Sequence, residues 1–139
     1  MTIEFQNKLV AVLNKSIDAG KVMNALAHMS IGLGSAIGQK ALRLTNYRDA
    51  EGGSHPFISE IPFIILSENS NKIRKLRHAA LAENILLNDF TDTMTVGTYH
   101  EQIERTRQTK EENLTYYGIV LFGDWAKVSE LTKKCSLWR

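Results

Sequence analysis

The chain places Asp18-Ala19-Gly20-Lys21 three residues after an apolar stretch, Lys8 to Asn14, and follows it with Asn24 and His28. Spacings of three and four residues put Lys21, Asn24 and His28 on one face of a helix. A helix that opens at Ala19 leaves its first N–H groups without acceptors and turns the positive end of its dipole outward. Ala19, Gly20, Lys21 and Asn24 therefore read as a seat for an anion. At such a seat Lys21 would stabilise negative charge developing on an oxygen, and His28 would serve as a base. The set suits hydrolysis of an anionic ester, and equally the holding of an anion without turnover. Plainer readings stand beside these: Lys21 on a solvated helix face, His28 as a packing group, and Asp89 and Thr93 ending a strand through local side-chain bonds.

The elements that must position these residues follow from periodicity. Lys8 to Asn14 is a short run of Val and Leu bounded by polar groups, which predicts a strand buried on both faces. Val22, Leu26, Met29, Leu33 and Ile37 recur at helical spacing and predict a helix over 19–38. Turn formers from Asn46 to Pro56 predict a loop. Residues 62–67 predict a second buried strand with Pro62 at its start, and Asn69 or Ser70 would cap a helix over 71–87. A short strand is expected near Phe90 to Val96, and a third apolar run from Leu114 to Phe122. Gly123-Asp124 would then open a last helix carrying Val128, Leu131 and Cys135 on one face. Residues 98–113, with only Tyr99 and Ile103 among many charges, predict an exposed helix or mobile covering segment stitched by Glu101–Arg105 and Arg107–Glu111 pairs. Asn14 and Asp124 would mark two strand carboxyl ends, where ligands of such sheets gather.

A chain of 139 residues, 43% apolar, predicts a single domain over 1–139. The net charge of +2 does not by itself call for nucleic acid, and the densest positive cluster, Lys72, Arg74, Lys75, Arg77 and His78, spreads around its helix without interleaved aromatics. One cysteine, Cys135, excludes an internal disulfide. The absence of a secretory signal or a spanning apolar run points to a cytoplasmic setting with no membrane association. His28, His55, His78 and His100 lack ligand spacing, so neither a metal nor a cofactor is expected.

The strand starting at Lys8, the Gly20-Lys21 pair opening a helix, the alanines after it and His28 together resemble the opening of an uncharacterised bacterial domain family with no assigned function, whose fold is similar to the type-II peptidyl-tRNA hydrolases. Asp89 and Thr93 resemble the spaced Asp and Thr of the hydrolases' third strand, and Thr115 resembles the Thr opening their last. The chain departs from them with Ala25 where they carry Gln, with Phe90-Thr91 after the Asp where they carry Ala-Gly, and with the charged segment 98–113. About half the chain is covered. The resemblance implies a four-stranded mixed sheet with helices on both faces, a three-layer α/β/α class that the alternation of strands and helices also favours. It implies a cleft near Lys21 and an activity on a peptidyl or aminoacyl ester, with tRNA or another anionic substrate as partner, in which Asp89 or His28 would act as base and Thr93 or Thr115 would orient water through their hydroxyls. A homodimer is a further expectation. The contrasting expectation is a non-catalytic module that holds a small anion or nucleotide.

Overall fold

The computed structural model describes residues 5–139. Strand β1 (Asn7–Asn14) runs through the middle of a five-stranded sheet. It pairs in parallel with β4 (Phe63–Glu68) on one side and antiparallel with β6 (Tyr116–Asp124) on the other. Strand β5 (Leu86–Thr91) pairs antiparallel with the far side of β6, and the two-residue β7 (Ser136–Leu137) pairs with β4, giving the order β5-β6-β1-β4-β7. The sheet is mixed, as expected, but has five strands instead of four because the chain returns after its last helix to cover the outer edge of β4.

Alternation along β1 divides the interior. Leu9, Ala11 and Leu13 join a core with Val22, Ala25, Met29 and Leu33 of α1 (Ala19–Ile37). Val10 and Val12 join another core with Ile73, Leu76 and Ala80 of α3 (Ser70–Ala82) and Val128 of α5 (Trp125–Thr132). Successive strand side chains point to opposite faces, so one apolar run serves both cores. Each fully buried Val or Leu contributes about 1.5–3 kcal/mol, so a polar residue at any position from Leu9 to Leu13 would be costly.

Several boundaries differ from expectation. Between α1 and β4 the chain forms a single helical turn, α2 (Gln39–Leu42), and a separate hairpin of β2 (Leu44–Arg48) and β3 (Ser54–Ser59). Its turn lies within the expected loop, whose ends, 46–48 and 54–56, belong to the two strands instead, and in the turn Asp49 accepts bonds from the N–H groups of Glu51 and Gly53. Helix α3 begins as expected, with the Asn69 side chain accepting from the Lys72 N–H, but it ends at Ala82. Asn84 takes a left-handed conformation with φ 56° and turns the chain into β5, so Leu87 lies on a strand and not on the helical stripe. Because β6 is antiparallel to β1, Asn7 faces Asp124, and Asn14 and Asp124 lie at opposite ends of the sheet.

Segment 98–113 folds into α4 (Tyr99–Arg107) and one 3-10 turn (Glu111–Asn113). Glu101 closes a capping box with Thr98, and Arg105 donates to the carbonyls of Thr93 and Val96 at 3.1 and 3.0 Å, so the expected Glu101–Arg105 pair gives way to backbone partners. Arg107 pairs with Glu104 instead of Glu111, which turns to Tyr116 and α3. Among the described residues, no helix is long and apolar enough to cross a membrane.

Candidate functional site

Helix α1 opens without a side-chain cap. Asp18 holds the N-cap position, yet its carboxylate accepts nothing from the first turn, and its carbonyl takes the Lys21 and Val22 N–H groups at 3.0 and 3.1 Å. The expected anion seat is thereby narrowed to the N–H groups of Ala19 and Gly20, which have no helical acceptor. A side chain added at Gly20 would meet nothing within 4 Å, so this end of the helix faces open space.

Gly20, Lys21 and Asn24 form one wall of a cleft of about 400 Å³. Phe90 of β5 and Tyr117 of β6 form its floor, and Thr95 and Val96, in the loop after β5, form the far wall. The rings of Phe90 and Tyr117 lie 6.0 Å apart, and the His28 ring stacks on Phe90 at 6.1 Å. No ion pair among the described residues engages Lys21, so its ammonium is available to a ligand. The cleft thus joins a cation, an amide side chain and two backbone donors to an aromatic surface.

The remaining sequence-derived candidates lie elsewhere. Asp89 alternates with Phe90 along β5 and points to the face covered by α3, where Arg77 Nε donates to its Oδ2 at 2.9 Å. Lys21 and Asp89 are therefore separated by the sheet and cannot share one reacting atom. Thr93 is buried, its hydroxyl bonded to those of Thr91 at 2.7 Å and Thr106 at 2.8 Å, which ties α4 to the end of β5. Thr115 lines a different, polar cleft of about 470 Å³ with Asn14, Ser70 and Arg74. Its N–H donates to Asp92 Oδ1 at 2.9 Å, and its carbonyl accepts from the Asp92 N–H. His28 is exposed on the same helical face as Lys21, one turn beyond Asn24, and reaches the cleft only through Phe90.

The aromatic floor escaped the sequence reading. Its signal was the alternation of Asp89 with Phe90 and the Tyr116-Tyr117 pair, in which one member of each must face α1.

The basic cluster on α3 is largely neutralised. Lys72 lies 3.8 Å from Glu68, Arg74 lies 3.6 Å from Glu111, Arg77 binds Asp89, and His78 lies 3.1 Å from Glu111. The Tyr116 hydroxyl also donates to Glu111 at 2.5 Å, and this bond holds the Glu111 carboxyl below the usual carboxylate range. The network fastens the 3-10 turn to α3. No group of three or more His, Cys, Asp or Glu suited to a metal ion occurs among the described residues.

Residues 7–139 match the family model described as a protein of unknown function, DUF2000. The chain belongs to the DUF2000 family. No curated protein matches it. A solved protein of unknown function from Agrobacterium tumefaciens strain C58 is similar in fold, with a TM-score of 0.82, 19% identity, and coverage of 97% of this chain and 99% of the other. At that identity the likeness speaks for the fold alone. The expected membership of an uncharacterised family thus holds, and neither finding extends to the peptidyl-tRNA hydrolases.

Proposed function

We propose that this DUF2000 protein binds a small organic anion in the cleft beside Lys21, on a frame read as three-layer α/β/α from its two cores. One observation carries the proposal: Lys21 and Asn24 stand on the wall of a cleft floored by Phe90 and Tyr117. The ammonium, the Asn24 amide and the Ala19 and Gly20 N–H groups suit a carboxylate or phosphate, and the aromatic floor suits an apolar or ring-bearing body. The carboxylate that hydrolysis would draw on, Asp89, is held by Arg77 on the opposite face. This favours the binding or regulatory reading over the catalytic one.

Hydrolysis of an anionic ester, with peptidyl- or aminoacyl-tRNA as substrate class, is the second reading. It is favoured by the His28 ring stacked against the cleft floor. In that reaction His28 takes a proton from water as the water oxygen attacks the ester carbonyl, Lys21 stabilises the oxyanion, and His28 returns the proton to the alkoxide as the ester C–O bond breaks.

Calorimetric titration with benzoate and phenyl phosphate tests the first reading. Saturable binding that weakens at least tenfold in Lys21→Ala is expected, and equal affinity in both proteins would refute it. Release of the acyl group from peptidyl-tRNA, lost in His28→Ala, would move the second reading ahead.

A further inference from the structure

Beside the Lys21 cleft lies a groove of about 360 Å³ between α4 and the end of β5, lined by Met94, Tyr99, Gln102, Ile103 and Thr106. Its walls are apolar apart from the Tyr99 hydroxyl, the Gln102 amide and the Thr106 hydroxyl. The Thr106 hydroxyl is already engaged by Thr93 and by the Gln102 carbonyl. Residues three and four apart on α4, Tyr99, Gln102, Ile103 and Thr106, form its helical side. Tyr99 and Ile103 are 65% and 53% exposed, and Val96, on the wall of the neighbouring cleft, is 68% exposed. Large apolar side chains clustered in this way on the surface of a small domain mark a place where something apolar docks.

The cleft and the groove flank one short stretch of chain: Met94 faces the groove, while Thr95 and Val96 face the cleft. Arg105 fixes that stretch by bonding the carbonyls on both sides of it, Thr93 and Val96. A cationic pocket and an apolar groove are thus held side by side across a rigid wall. A polar peptide or a sugar would leave the groove unfilled, and a wholly apolar ligand would leave Lys21 unpaired.

We infer that the ligand is an amphipathic anion whose head group lies at Lys21 and Asn24 and whose unbranched apolar tail crosses Val96 into the groove beneath Tyr99 and Ile103. The inference rests on the anion reading of the cleft and adds the tail. Phosphate and carboxylate heads share the required chemistry.

The test titrates the whole protein with straight-chain carboxylates from butanoate to decanoate, kept below their micellar concentrations, and with the matching alkyl phosphates. Affinity should rise about two- to fourfold per added methylene until the groove is filled, as expected for burial of successive CH₂ groups. The head that binds more tightly at equal tail length identifies the natural head group. Ile103→Ser and Tyr99→Ser, both at exposed positions, should flatten the rise without lowering the melting temperature. Lys21→Gln should weaken every member by a common factor and leave the rise in place. A rise that survives both α4 substitutions overturns the tail site while sparing the anion reading. Absence of binding across the whole series overturns both.

Discussion

Lys21 and Asp89 are both charged residues near strand or helix ends, and the sequence treats them alike, yet they lie on opposite sides of the sheet. Lys21 is exposed and has no ion pair among the described residues, so Lys21→Ala should leave the melting temperature nearly unchanged while weakening anion binding at least tenfold. Asp89 should behave in the reverse way. Its bond to Arg77 is largely shielded, with side-chain exposures of 18% and 29%, so Asp89→Ala should cost about 1–2 kcal/mol in denaturant unfolding. Affinity at the cleft should not change, and a loss there would place Asp89 in the binding machinery. The helical face of Lys21, Asn24 and His28 was legible in the sequence because helical spacing fixes a face without further knowledge. The side of the sheet to which Asp89 points was not legible. It depends on the start of β5, and a one-residue shift in that start exchanges the faces of Asp89 and Phe90.

Elements with a strong period were legible, and those defined by a backbone turn were not. The buried run of β1 and the stripe of α1 each carry a signal longer than any competing pattern. Strand β5 does not, because Leu86 and Leu87 extend the apolar spacing of α3, and only the left-handed Asn84 separates the two elements. The hairpin was hidden because its strands bury little: Tyr47, Phe57 and Ile58 are all exposed. Contact between α1 and β6 depends on Gly118, where a Cβ would come within 2.9 Å of Met29 Cε, 3.0 Å of Leu13 Cδ2 and 3.2 Å of the Val12 carbonyl. The backbone oxygen cannot yield easily, so Gly118→Ala should destabilise by about 1–3 kcal/mol, measured by chemical denaturation. Unchanged stability would show that α1 can lift from the sheet. For α4, Thr98→Ala removes the capping box at a cost of about 1 kcal/mol, and hydrogen exchange should quicken across Tyr99–Arg107 while β6 stays protected.

At the scale of the whole molecule, the charge network that fastens the 3-10 turn to α3 should shape the acid limb of stability. The Tyr116 hydroxyl, followed by His78 and Arg74, keeps the folded Glu111 carboxyl below its ordinary range. A group lowered in this way contributes stability above the unfolded value, and that contribution drains as the pH falls toward the folded one. Melting temperature should therefore fall with acidification through and below the ordinary carboxylate range. Glu111→Gln should be less stable at neutral pH and show a shallower acid slope, and parallel curves would remove Glu111 as a contributor. A homodimer, proposed from the sequence, would appear as a doubled mass in sedimentation. Anion binding at Lys21, above the aromatic floor and apart from the largely neutralised basic face of α3, is the property on which the proposed function rests. Its most direct test is an amide chemical-shift titration of the isotope-labelled protein with benzoate. Saturable shifts at Ala19, Gly20, Asn24, Val96 and Tyr117 that vanish in Lys21→Ala are expected. Shifts confined to Lys72, Lys75 and their neighbours on α3, or no saturable shift at all, would contradict it.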